Sequence, residues 1–137
     1  MTDIAAMQQR LDSLFPGLMG VRLTALAADR ITVELPVRPD LCTAGGILHG
    51  GAIMAFADTL GAVGTLQNLP AGRRTTTTTD SSTKFIGSVK VGGSASAECL
   101  ALHRGRTTQV WQTSIRNADG KLCALITQTQ RVLDSTP

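Results

Sequence analysis

The sequence predicts an α+β domain in which a largely antiparallel sheet curls around one long apolar helix. The helix is predicted over residues 48–66, where apolar side chains fall on nearly every face and Asp58 is the only ionisable residue after His49. Such a helix is expected to be covered by other structure on most sides. The flanking segments alternate apolar and polar residues, as half-buried strands do, and short turns separate them. A sheet wrapped around the helix satisfies both observations.

Composition sets the broad class of the protein. The 137 residues suit one domain, 1–137, because no linker or internal repeat divides them. With 42% hydrophobic and 17% charged residues, the chain is expected to be neither disordered nor embedded in a membrane. A formal charge of +3 with scattered basic residues favours no nucleic-acid partner. Cys42, Cys99 and Cys123 lack metal-like spacing and suggest reduced thiols in a cytoplasmic protein, and no secretion signal is recognisable.

The order of elements follows from periodicity and turn residues. A first helix is expected to be capped by Thr2 and ended by Pro16-Gly17. Strands are predicted over residues 19–26 and 31–37, and a loop over 38–48 leads into the central helix. Four more strands are predicted over 75–86, 94–103, 107–116 and 121–133. The tail, 134–137, is expected to fray.

Asp58 is the leading candidate for a catalytic residue. A carboxylate midway along an apolar helix is costly unless it is paired, hydrogen-bonded or reached by water. Chains seldom retain such a cost without a use. His49, Gly50 and Gly51 form the N-terminal approach to the same helix. The alternative is that Asp58 is a structural acid satisfied by backbone or threonine donors.

The motif Leu48-His49-Gly50-Gly51, followed by Asp58-Thr59, resembles the signature of hotdog-fold acyl-CoA thioesterases. The resemblance is to the phenylacetate-degradation and 4-hydroxybenzoyl-CoA thioesterase types, and it extends over about residues 29–133. It implies a hotdog fold, in which a curved antiparallel sheet wraps around one long central helix. It also implies hydrolysis of an acyl-CoA with water, without a metal or any cofactor beyond the CoA of the substrate.

The same resemblance assigns roles to individual residues. Asp58 is expected to act as nucleophile or general base on the thioester, and the Gly50 N–H to polarise the thioester carbonyl. His49 is expected to shape the turn and to contact the substrate. Six residues before the histidine, where the family usually has Asn or Gln to orient water or substrate, this chain has Thr43. A threonine hydroxyl can still hydrogen-bond, but its reach is shorter.

Elementary chemistry supports these roles and adds a condition. The first turn of a helix offers unpaired N–H groups and about half a positive charge, and glycines let a ligand approach closely. One such donor to the oxyanion is worth about 3 kcal/mol of barrier. Gly50 and Asp58 are separated by about 12 Å along a helix, yet both must reach within about 3 Å of the reacting group. The site therefore requires a homodimer, and the resemblance further implies a dimer of dimers.

Substrate contacts are predicted more broadly. Gly51, Thr59 and Thr78 are candidates to line the site, and Ala52, Met54 and Phe56 to line a pocket for an aromatic or medium-chain acyl group. The phosphates of CoA need basic residues near the mouth of the site. The candidates are Lys84, Arg104 and Arg106, followed by Lys90, Arg73 and Arg74.

Two other functions are alternatives to thioester hydrolysis. A hotdog-fold dehydratase or hydratase needs a His–carboxylate pair in a differently spaced motif, which is not found here. A non-catalytic acyl-CoA-binding hotdog protein is the alternative from another class, and Thr43 is the departure that favours it.

Overall fold

The computed structural model describes residues 2–134, which form a six-stranded antiparallel sheet with one long helix across it. The spatial order of the strands is β1-β2-β4-β5-β6-β3. In chain order the elements are α1 (Ile4–Asp12), α2 (Phe15–Met19), β1 (Arg22–Leu26), β2 (Arg30–Pro36), a 3-10 turn (Pro39–Leu41), α3 (Gly50–Gln67), β3 (Thr75–Phe85), β4 (Ser94–Arg104), β5 (Thr108–Arg116) and β6 (Leu122–Leu133). The predicted antiparallel α+β architecture is confirmed.

The core lies between α3 and the inward face of the sheet. Helix α3 contacts strands β2 to β6 and buries Phe56, Ala57 and Leu60 completely. Two glycines permit this close approach. A Cβ at Gly61 would overlap the side chain of Gln128, and one at Gly64 would lie 2.7 Å from the indole ring of Trp111. Because the helix is this close, side chains of the sheet can contact its backbone and its polar groups directly.

The N-terminal region differs from the sequence prediction. Asp3, not Thr2, caps α1, because its carboxylate accepts a hydrogen bond from the Ala6 N–H at 2.8 Å. Pro16-Gly17 does not end the first helix but lies inside α2, and the strand predicted from residue 19 begins only at Arg22. Proline suits the first turn of a helix, where its missing N–H is not needed. Of the tail predicted to fray, 134–137, only Asp134 lies within the described residues, and it forms an ion pair with Arg73.

Helix α3 is covered on most sides, as predicted, but one face is open. Gly51, Met54 and Asp58 recur at helical spacing on a single face and are exposed, Met54 to 41%. The sheet covers the opposite side of α3, and α2 contacts it only in part. The carboxylate of Asp58 is therefore exposed within this chain, where water can reach it.

Strand β3 ends the sheet on the side nearest this open face. It pairs with β6 along one edge, and its other edge has no partner strand among residues 2–134. A β-bulge interrupts the pairing between Thr78 and Asp80. In the same described part of the chain, no helix combines the length and apolar character that a membrane crossing requires.

Candidate active site

The first turn of α3 presents backbone N–H groups that no acceptor within residues 2–134 takes, and the one at Gly50 stands at the start of the helix. His49 is the N-cap, and its Nδ1 accepts the Gly51 N–H at 2.8 Å. No acceptor within residues 2–134 takes the Gly50 N–H. Phe85, at the end of β3, lies against Gly50: a Cβ there would be 3.2 Å from the phenyl ring. Of the two glycines, Gly50 is thus the one whose N–H can polarise a bound carbonyl.

Asp58 lies in the middle of the open face of α3 and is held from one side only. The Thr78 hydroxyl donates to its Oδ1 at 2.6 Å, across from β3. The Oδ2 atom has no hydrogen-bond partner in the described part of the chain. A carboxylate with one oxygen anchored and the other open can take a proton from water or attack a carbonyl.

Two apolar grooves border the open face of α3, and Phe15 lines both. The groove that contains Asp58 runs between α3 and the α1–α2 region and has a volume of about 350 Å³. Its other walls are Leu11, Leu14, Pro16, Ala55, Thr59, Ala62, Val63 and Leu66. The second groove, of about 380 Å³, reaches His49 and Gly51 at the start of the helix. Either groove could accommodate an apolar acyl group. The first would place it next to Asp58, and the second next to His49 and Gly51 at the start of the helix.

One chain does not bring Gly50 and Asp58 together. Both lie on α3, so about 12 Å of helix rise separates them, as the sequence predicts. The predicted roles of both residues therefore still require two chains.

Several predicted site residues are engaged locally. Thr43 lies in a tight turn, where its carbonyl accepts the Gly46 N–H at 3.0 Å, and its hydroxyl lies 3.4 Å from the Gly45 nitrogen. The Thr59 hydroxyl donates to the Ala55 carbonyl at 3.0 Å, while its side chain lines the Asp58 groove. Phe56 is fully buried, so the prediction that it lines the pocket is wrong.

The predicted basic residues do not form one cluster in a single chain. Lys84 is exposed and precedes Phe85 on β3, so strand alternation puts its side chain on the outer face of the sheet, away from α3. Arg104 instead lies 3.4 Å from Asn68, which caps the other end of α3, and Arg106 follows in the same hairpin. Within one chain, Arg104 and Arg106 are therefore at the opposite end of the helix from Gly50. Arg73 forms an ion pair with Asp134 at 2.7 Å.

Sequence reasoning missed two buried glutamines on β6. The Gln130 amide donates to the Thr78 hydroxyl at 2.6 Å, and the Gln128 amide donates to the backbone carbonyl of Asp58 at 3.3 Å. Both residues occupy inward positions of β6, on the same face as Ile126 and Val132. Two amides at core positions of one strand are the signal that could have revealed them.

Comparison with known proteins identifies the family. The sequence profile of the thioesterase superfamily matches residues 45–124, more than half of the chain. The proofreading thioesterase EntH of Klebsiella pneumoniae is 30% identical over 122 residues, 88% of this chain and 86% of that protein. The chain belongs to the thioesterase superfamily, and the prediction of a thioester hydrolase is confirmed.

Solved structures agree with the predicted hotdog fold, which is confirmed. The thioesterase HI1161 of Haemophilus influenzae superposes with a TM-score of 0.89 at 27% identity, over 97% of this chain and 92% of that one. The protein smu.793 of Streptococcus mutans, solved with acetyl-CoA bound, has a TM-score of 0.77 at 21% identity, over 85% of this chain and 91% of that one. At that identity the second likeness concerns the fold alone.

Proposed function

We propose that the chain hydrolyses an acyl-CoA whose acyl group is aromatic or of medium length, with Asp58 as the catalytic carboxylate. The observation that carries the proposal is the position of Asp58 on the open face of α3, with Oδ2 unbonded within the described residues, at the wall of an apolar groove. The groove suits an apolar acyl group, and Asp58 is within reach of a thioester at its rim.

Two routes lead to the same products. As a general base, Asp58 takes a proton from water while the water oxygen attacks the carbonyl carbon, the C–S bond breaks and CoA leaves as the thiol. As a nucleophile, its Oδ2 attacks the carbonyl and expels CoA, and water then hydrolyses the mixed anhydride. Either route consumes only water besides the substrate. A single turnover in isotope-labelled water separates them, because only the nucleophilic route can leave label in the Asp58 carboxylate.

The developing oxyanion is stabilised by the Gly50 N–H of a second copy of the chain. The free edge of β3 offers unpaired backbone groups to another strand, and α3 packs against β3. Two copies joined at that edge would place their open α3 faces near each other and cover exposed side chains such as Met54. The proposed unit is therefore a homodimer with two sites, able to pair into a dimer of dimers.

The CoA moiety is proposed to interact with basic side chains. Lys84 is on the outer face of β3, beside Phe85 in the chain, while Arg104 and Arg106 could serve the site only from a neighbouring copy. The bound acetyl-CoA of the Streptococcus mutans protein supports CoA as the thiol of the substrate. Reduced thiols and this substrate class favour a cytoplasmic enzyme.

Thiol release from a panel of acyl-CoAs tests the proposal. We expect Asp58→Asn to lower kcat by about 100-fold or more, as for the loss of a catalytic base, with an unchanged unfolding curve. Asp119→Asn, which neutralises an exposed carboxylate in the β5–β6 turn, should leave kcat unchanged. Full activity in Asp58→Asn would refute the role of Asp58. Tight acyl-CoA binding by the wild type without thiol release would support the binding protein instead.

A further inference from the structure

We infer that Thr78 and Gln130 are positioning residues that hold the Asp58 carboxylate in its reactive orientation. The inference rests on the proposed function of Asp58 and extends it to two residues outside the motif. Gln130 is completely buried on β6, and its register partner on β3 is Thr78. Both side chains face α3 at the level of Asp58.

The contacts form a continuous chain from the core to the open face. The Gln130 Nε2 lies 2.6 Å from the Thr78 Oγ1, which lies 2.6 Å from the Asp58 Oδ1. At the buried end, the Thr76 hydroxyl lies 2.9 Å from the Gln130 Oε1. The same hydroxyl lies 2.9 Å from the Arg131 carbonyl oxygen, so the two acceptors share its single hydrogen. Water does not compete for the Gln130 amide, because Gln130 has no exposed surface.

Counting hydrogens gives the direction of each bond. An ionised carboxylate has no hydrogen, so the short contact between Thr78 and Asp58 must use the single hydroxyl hydrogen of Thr78. The Thr78 oxygen can then only accept a hydrogen bond from Gln130. The amide group of Gln130 is the donor of that bond. Gln130 therefore commits the Thr78 hydroxyl to Asp58, and the carboxylate is anchored through Oδ1 with Oδ2 left to react.

The bulge in β3 adds to this arrangement. Pairing with β6 shifts directly after Thr78, so that Thr79 is the extra residue and Ser81 resumes the inward face. Bulges re-aim neighbouring side chains and often lie beside active sites. Here the irregularity falls next to the residue that contacts Asp58.

The experiment compares kcat and KM for acyl-CoA hydrolysis in matched variants. Thr78→Val and Gln130→Leu should each lower kcat by about 10- to 100-fold, the equivalent of one hydrogen bond to a charged group, with KM nearly unchanged. Thr78→Ser keeps the hydroxyl and should restore most of kcat. The double variant should be little worse than either single variant, because both break the same chain of contacts.

Two controls separate positioning from general damage to the fold. Thr83→Val removes a hydroxyl from the same face of β3, and Gln109→Leu removes a buried amide that bonds the carbonyl of Asn68 instead. Both should retain the wild-type kcat. If they lose kcat as Thr78→Val and Gln130→Leu do, the effect is structural and the inference is wrong.

Asp58→Asn, measured alongside, distinguishes the two ways to fail. If it abolishes turnover while Thr78→Val and Gln130→Leu retain the wild-type kcat, the positioning role is refuted and the proposed function stands. If Asp58→Asn is fully active, the proposed function itself fails.

Crystal structures give a readout that does not depend on activity: the Asp58 carboxylate should leave its place in Thr78→Val and keep it in Thr78→Ser. An unmoved carboxylate in Thr78→Val would also refute the inference. Thr78→Ala replaces Thr78→Val if the latter does not fold.

Discussion

At the residue scale, His49 decides which backbone donor of α3 stays available. Its Nδ1 occupies the Gly51 N–H, whereas no acceptor within residues 2–134 takes the adjacent Gly50 N–H. With Nδ1 as an acceptor, the imidazole is neutral and carries its proton on Nε2. The cap thus orients the first turn of the helix and leaves the Gly50 N–H available to a substrate.

Cys99 gives the stability of the fold a defined pH dependence. Burial raises the pKa of the Cys99 thiol to about 11, and the neighbouring Thr113 hydroxyl offsets part of that rise. In the unfolded chain the Cys99 thiol ionises near pH 9.0, whereas in the folded state it is still protonated at that pH. The stabilisation is therefore complete below that pH and is lost as the pH rises towards about 11.

We expect the free energy of unfolding to fall by about 2–3 kcal/mol across this pH window. Urea unfolding at a series of pH values measures it, and Cys99→Ala is the control whose curve should be flatter. The absence of tyrosine from the sequence leaves few other groups that titrate there. An equal decline in Cys99→Ala would assign the effect to other groups.

The residues of the site differ in how far the sequence could predict them. His49, Gly50 and Asp58 lie in one short segment, so a local motif and helical geometry were enough to identify them. The contact between Gln130 and Thr78 spans 52 positions in sequence and depends on the register of β3 against β6. The sequence offered Thr78 as a residue lining the site and threonine donors as partners of Asp58. No local pattern encodes the register, so the link between Thr78 and Asp58 and the part of Gln130 emerged only from the fold.

At the scale of elements, the strands and α3 were predictable because their periodicity is regular. The boundaries of β3 to β6 lie within one residue of the prediction. The α1–α2 region was not predictable in this way, since Pro16-Gly17 is compatible with both the end and the start of a helix. The open face of α3 did not stand out in the sequence, because Met54 on it is as apolar as the residues that face the sheet and Asp58 is its only charged residue.

The contact of α3 with the sheet depends on Gly64. We expect Gly64→Ala to destabilise the fold by about 1–3 kcal/mol, although alanine favours helix by about 1 kcal/mol, because the added methyl group meets a rigid indole ring. Urea unfolding measures the change. Replacing Trp111 with Phe in the same background should recover part of the loss, since the smaller ring leaves room. Additive losses in the double variant would contradict this explanation.

At the scale of the whole molecule, the proposed site needs two copies of the chain. The sequence predicted this from the separation of Gly50 and Asp58, and the structure adds the open face of α3 and the free edge of β3.

Subunit complementation tests the shared site. Asp58→Asn and Gly50→Val should each be inactive alone, the latter because its side chain fills the space between the donor and Phe85. Co-refolded in equal amounts, they should recover about a quarter of wild-type activity, since half of the dimers are mixed and each retains one intact site. Thiol release before and after mixing provides the measurement. No recovery, despite mixed dimers seen by mass spectrometry, would place both residues in sites of a single chain.

The sheltered indole of Trp111 has a practical consequence. It is the chain's only tryptophan, it is fully buried, and its Nε1 donates to the Thr65 hydroxyl of α3 at 3.0 Å. Its fluorescence emission therefore reports whether α3 is docked on the sheet, without any added label. Because α3 carries both Gly50 and Asp58, the same optical signal follows the integrity of the element on which hydrolysis depends.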